Sequence, residues 1–202
     1  MALAVRATAV DPDLLSLPWA TPLEEWPQDL IVALPRGISR HTVRFVRLSG
    51  VVHAVKEIEE SFAQREYDLL NQLTELKVPS VRAKAVISRR TDADGEALPA
   101  ALITEHLRFS LPYRAVFSST PRTATAIRLL DALTLLIARL HLLGFAWNDC
   151  SLSNTLFRRD AGEFAAYLVD AETGEMYPTL SDGQRQYDME TASLNCIGEH
   201  MD

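Results

Sequence analysis

The chain has 202 residues, 48% of them hydrophobic and 23% charged, with a formal net charge of −7. That length supports one sizeable core or two small ones, and the acidic balance excludes a general binder of nucleic-acid backbones, which needs a basic face. Cys150 and Cys196 are too few for a disulfide framework, and the five histidines show no metal-ligand spacing. Met1–Val10 lacks a long apolar run, so no signal peptide is expected and the cytoplasm is the expected compartment.

In chain order, Pro12, Pro18, Pro22 and Pro27, with Trp19 and Trp26 between them, predict an extended segment over residues 1–29, laid on the body. Three strands follow, LIVAL from Leu30, TVRFVRL from Thr42 and VVHAVKEI from Val51, with a tight turn at Ser49-Gly50. Ser61–Leu76 reads as a helix opened by a capping box, Ser61 to Gln64, and ended before Pro79. VRAKAVI and ALITEHL add two strands, making five with one inserted helix over residues 30–107. Ala126–Phe145 is long enough to span a bilayer, but Arg128, Asp131 and Arg139 interrupt it. The charges make it a buried core helix, closed by Gly144, and no transmembrane segment is expected. Two short strands near Thr155 and Ala165 and a last helix from about Tyr187 complete the pattern. A strand-rich first half and a helix-rich second half predict an α+β chain in two lobes, 30–107 and 108–202. The end at Asp202, inside a helical stretch, suggests a fragment with possible further domains or a protein partner.

Several residues break these patterns. Alternation puts Lys56 on a strand face with Val52, Ala54 and Ile58, and Glu66 falls on the helix face of Phe62, Leu69, Leu70, Leu73 and Leu76. Both could reach out to solvent, yet two matched anomalies on adjacent elements predict a buried pair. Asn148, Asp149, Ser151, Ser153 and Asn154 crowd one short loop between apolar residues. Asp170 ends the apolar run AAYLV, where an Asp can also be only a turn former. The hairpin between Asn154 and Asp170 brings Asp149, Asn154 and Asp170 to one edge, an oxygen-donor set suited to Mg²⁺.

Lysine on the third strand, glutamate on the next helix, D-x-x-x-x-N in a loop and Asp after a hairpin resemble the protein-kinase fold over residues 30–190. The short C-terminal half resembles the lipopolysaccharide-kinase branch and related bacterial kinase-like proteins. The resemblance implies a two-lobed fold with a five-stranded N-lobe and an abbreviated helical C-lobe, binding ATP and Mg²⁺. Lys56 would hold phosphates and pair with Glu66. Asp149 would be the catalytic base, with Asn154 and Asp170 as metal ligands. Gly37, Ser39 and Thr42 fall where the phosphate-covering loop sits, and Glu105, His106 and Leu107 where the hinge meets adenine. Asp188 takes the place of the aspartate that braces the catalytic loop. Departures are plain: only Gly37 is kept of three glycines, Trp147-Asn148 replaces His-Arg, Asp170-Ala171-Glu172 replaces D-F-G, Ser151 replaces Lys, and no A-P-E follows. The implied activity is phosphoryl transfer to a hydroxyl of a small molecule, sugar or lipid. The alternative is a pseudokinase used as a nucleotide-binding or scaffold module.

Overall fold

The computed structural model describes residues 2–9, 11–34, 40–112, 123–160 and 162–201. These gather into two compact units, the first drawn from residues 1–34, 39–71 and 82–106, the second from 72–81 and 107–202.

The first unit is built on a five-stranded antiparallel sheet of β1 (Ala4–Ala7), β2 (Val43–Leu48), β3 (Val51–Ile58), β4 (Arg82–Ser88) and β5 (Ala100–Glu105), in the order β1-β4-β5-β3-β2. β2 and β3 form a hairpin whose turn places Ser49 and Gly50 at φ +46° and +80°, both left-handed, as a primed two-residue turn requires. Leu30–Leu34 is not a strand. Its Leu30 and Ile31 N–H groups are taken by Pro27 O and Gln28 O in a 3-10 turn, so its described pairing with the sheet is an Ile31–Val46 bridge and a Val32 N–H bond to Phe45 O. The fifth strand is instead β1, at the edge of the sheet beside β4.

The proline-rich segment folds into three 3-10 turns, Pro12–Ser16, Leu23–Glu25 and Gln28–Leu30. Its Leu14, Leu17, Trp19, Leu23 and Trp26 pack on Val46, Leu48, Val55, Ala85, Ile87, Ala101 and Ile103 to make the unit's core. Both indole N–H groups are satisfied locally, Trp19 by Leu14 O and Trp26 by Thr21 O. Arg90, fully buried, ties segment to sheet by donating to Trp19 O, Thr21 O, Pro99 O and Glu57 Oε1 at 2.7–3.0 Å.

Helix α1 (Glu60–Glu75) is capped by Glu59 rather than Ser61. The Glu59 carbonyl takes the Ala63 N–H, and its carboxylate accepts the Ser61 N–H and hydroxyl. Its buried residues are Ala63, Glu66, Tyr67, Leu69, Leu70 and Leu73, so Leu69, Leu70 and Leu73 fall as expected while Phe62 and Leu76 point outward, contrary to expectation. Arg6 on β1 donates to Gln64 and Asp68 and lies over Tyr67, fastening the helix to the sheet edge.

In the second unit, helix α2 (Thr123–Leu142) packs on β9 of a three-stranded sheet ordered β6 (Ser110–Pro112), β8 (Thr155–Asp160), β9 (Glu163–Leu168). β7 (Phe145–Ala146) pairs with β10 (Glu175–Met176), and helix α3 spans Asp182–Met201. α2 is buried along Leu129, Ala132, Leu133, Leu136, Ile137 and Leu140, while Ile127, Leu130, Leu135 and Leu142 are exposed. It is a one-sided helix and not one buried all round. No helix among the described residues is long and apolar enough to cross a membrane. α3 starts five residues earlier than the sequence suggested. The reason is a capping box: Ser181 Oγ accepts the Gln184 N–H, and Gln184 Oε1 accepts the Ser181 N–H.

Candidate active site

In the first unit, Lys56 Nζ lies 2.6 Å from Glu66 Oε2, with side chains 13% and 1% exposed. Strand alternation turns Lys56 away from the core residue Val55, and the i, i+3, i+4, i+7 spacing of Ala63, Glu66, Tyr67, Leu70 and Leu73 turns Glu66 inward. Gly37 and Ser39 lie outside the described residues. Thr42 is engaged locally, its hydroxyl on Glu24 Oε1 and its carbonyl on the Glu57 N–H. Glu105 ends β5 with an exposed side chain. The His106 N–H is taken by Val52 O, and its ring meets Phe45 edge-on at 5.4 Å. Burial keeps the His106 imidazole below its ordinary pKa. Leu107 belongs to the second unit, where its carbonyl accepts the Ser110 hydroxyl.

In the second unit, the loop after α2 carries the remaining candidates. Gly144 turns the chain out of the helix at φ +82°, and a Cβ there would stand 2.0 Å from Tyr177 O, so only glycine fits. Asn154 Nδ2 donates to both the carbonyl and Oδ2 of Asp149, at 3.1 and 2.9 Å. The Val169 N–H bonds to Asn154 O, which sets the residue before Asp170 beside that pair. Trp147 Nε1 donates to Asp170 O at 3.0 Å, and Asp170 Oδ1 accepts the Glu172 N–H. Asp149, Asn154 and Asp170 are therefore gathered within one unit by local bonds. Ser151, 5% exposed, spends its hydroxyl on the Asn154 N–H.

Asp188 of α3 braces this loop. Its oxygens accept the Trp147 and Asn148 N–H groups at 2.9 and 2.7 Å, and His141 Nε2 at 2.9 Å. Burial alone would raise its carboxyl, but the bonds from His141, Trp147 and Asn148 outweigh burial and hold it below the ordinary aspartate range. Asn195 of the same helix donates to Cys150 O. The buried Cys150 thiol is pushed far up by desolvation and by Asp188, so it is an inert packing group.

The donor set suits a hard divalent cation. With its nitrogen on Asp149, the Asn154 amide presents Oδ1 as its lone-pair end, and Asp170 supplies a carboxylate. Glu172, 7% exposed, brings a second carboxylate oxygen within 4.8 Å of one from Asp170. Sequence reasoning passed over Glu172, His141 and Thr173. The signal for Glu172 was present as an acid in the last slot of D-F-G, whereas nothing in the spacing announces that His141 meets Asp188 47 residues away.

The sequence profile described as the lipopolysaccharide kinase (Kdo/WaaP) family matches residues 47–191, and the chain belongs to that family. Membership implies a kinase acting on a sugar or lipid. No curated protein matches the chain. A solved structure of WaaP in complex with acyl carrier protein is similar, with a TM-score of 0.58 and 18% identity over 98% of this chain and 82% of that one. The shared fold is that of the kinase.

Proposed function

We propose that the chain is an ATP- and Mg²⁺-dependent phosphotransferase with a two-lobed kinase fold, acting on a hydroxyl of a sugar or lipid. The observation that carries this reading is the bonded Asp149–Asn154 pair, set beside Asp170 by the Val169–Asn154 bond. Asp149 orients the acceptor hydroxyl and takes its proton as the oxygen attacks the γ-phosphorus and ADP departs. Asn154 and Asp170 are the residues that would hold Mg²⁺, which neutralises phosphate oxygens when bound. Lys56, held by Glu66, meets the phosphates as a fixed cation. Gly37, Ser39 and Thr42 cover the phosphates in this reading, and Glu105, His106 and Leu107 line the base.

A small or lipid acceptor is favoured by the segment after Asp170, which runs only to α3 at Asp182 and includes the β10 pairing. That leaves little backbone to seat an extended peptide. The two free cysteines fit a reducing compartment, and the reaction belongs in the cytoplasm. A protein partner fits as well, since WaaP, of like fold, is found with acyl carrier protein.

Calorimetry of ATP binding with Mg²⁺ and with EDTA, on the wild type and Asp170→Asn, tests the reading. Tight binding that needs both Mg²⁺ and Asp170 supports it. Equal affinity in all four cases would move the assignment to a pseudokinase. Labelling of sugar and lipid head groups by wild type but not Asp149→Ala tests the acceptor class.

A further inference from the structure

We propose that the open edge of β1 pairs with β1 of a second copy of this chain, joining two first units through one continuous antiparallel sheet. The two edges of the sheet are built differently. The β2 edge is covered by the chain before it, through the Ile31–Val46 bridge and the Val32 N–H bond to Phe45 O, and it carries Arg44 and Arg47. The β1 edge has no such cover among the described residues, and β1 pairs with β4 alone. Register fixes which groups lie open there. The Thr8 N–H bonds to Lys84 O at 2.9 Å, in line with the pairs Arg6–Val86 and Ala4–Ser88. Bonding groups alternate along an antiparallel ladder, so Ala4 and Arg6 turn theirs to β4 while Leu3, Val5 and Ala7 turn theirs outward. Such a row is a template for another strand, and edges are commonly blunted with charge, proline or a covering loop. β1 holds one charge, Arg6, which is turned onto α1 and bonds Gln64 and Asp68 there.

The chemistry of the edge selects a second copy as its occupant. Residues 2–9 contain no acid although the chain carries −7, so two copies meet at this seam with little like-charge repulsion. With Val5 opposite Val5 of the second copy, Leu3 falls opposite Ala7, and every outward N–H and C=O finds its complement. Leu3 and Val5, 38% and 44% exposed, then cover apolar surface on the other strand. Arg6 falls opposite Ala4 and keeps its own Asp68. A slip of two residues one way would set Arg6 directly against Arg6, and the other way would lose the Leu3–Ala7 pairs, so the register is specified. The same patch serves both copies, and the contact therefore closes at two. One short strand buries less than ~1,200 Å², which makes the dimer weak and dependent on concentration.

The test is sedimentation equilibrium of the full chain over rising concentration, with thermal melts at the dilute end. The mass should climb from 22.5 kDa toward twice that value. Val5→Pro removes an outward N–H and leaves the bonds to β4 in place, so it should stay monomeric at every concentration and melt like the dilute wild type. Val5→Lys sets two ammonium groups against each other across the seam and should also stay monomeric. Should Val5→Pro fail to fold, Val5→Lys decides. In a mixture of isotope-labelled and unlabelled wild type, nuclear Overhauser contacts between the Val5 methyls of the two copies should locate the seam. A wild type that stays monomeric throughout, a dimer that lacks those contacts, or one that survives both substitutions overturns the proposal. So does assembly beyond two copies, which marks an open contact. A monomer whose β1 amides gain exchange protection only from an extended peptide of another sequence gives the edge to a foreign strand, and overturns the second copy.

Discussion

At the scale of single residues, each unit matches charges that it takes out of water. Lys56 and Glu66 are the clearest case, because Glu66 is 1% exposed and its partner only 13%. Desolvating both ions is costly, so the pair adds little net stability, but removing one partner leaves the other uncompensated. Lys56→Met should therefore cost about 3–5 kcal/mol in urea unfolding. The double variant Lys56→Met/Glu66→Leu should recover much of it, and no recovery would show that the two charges are not coupled. Asp188 is matched differently, by two backbone N–H groups and His141. Its folded pKa is depressed, so its contribution is complete above the ordinary aspartate value of about 3.9 and is lost as pH falls below it. Unfolding measured between pH 5 and pH 2 should show this acid loss in the wild type and a shallower one in Asp188→Asn. Asp188→Ala also orphans donors at a cost of about 1–3 kcal/mol each.

At the scale of elements, ends and turns decide where the site residues fall. α2 must stop sharply for Trp147 to reach α3 and Asp170, and Gly144 stops it at φ +82° against the Tyr177 carbonyl. Gly144→Ala meets a backbone oxygen 2.0 Å from its new Cβ and a conformation L-residues avoid. It should cost more than about 1 kcal/mol from the conformation alone, read as a lowered midpoint in thermal melts. A melt at the wild-type temperature would mean that the β7–β10 corner yields easily. α3 is set by the Ser181–Gln184 box, whose loss in Ser181→Ala should cost about 1 kcal/mol. Circular dichroism melts measure it, and an unchanged midpoint would mean that Gln184 alone suffices.

At the scale of the whole molecule, the first unit completes its core with chain that looks peripheral in sequence. The proline-rich segment supplies Trp19, Trp26 and three leucines to the first core, and one buried guanidinium holds it there. Arg90→Met should leave Glu57 with only the Leu23 N–H and no counter-charge, and three carbonyls without their donor, costing about 3–5 kcal/mol. Limited proteolysis should then cut within residues 11–34 before any other place. Protection equal to the wild type would show that the aromatic packing holds the segment unaided.

Local chemistry made much of this protein legible without coordinates. Alternation in VVHAVKEI marked Lys56 and helix spacing marked Glu66, because each of those signals lies within one strand or one helix, while the order of Lys, Glu, Asp, Asn and Asp along the chain marked a kinase family. Ser49-Gly50 marked a hairpin for the same reason. Tertiary structure decided the rest. The strand read at Leu30–Leu34 reduces to a bridge while Ala4–Ala7 takes the edge, since pairing depends on which free edge a segment can reach. Phe62 turned outward and Ala63 inward because contacts with the sheet, and not hydrophobicity, choose a helix's buried face. The bonds from His141 to Asp188 and from Trp147 to Asp170 span 47 and 23 residues, distances over which a chain carries no periodic signal and only folding brings donor to acceptor.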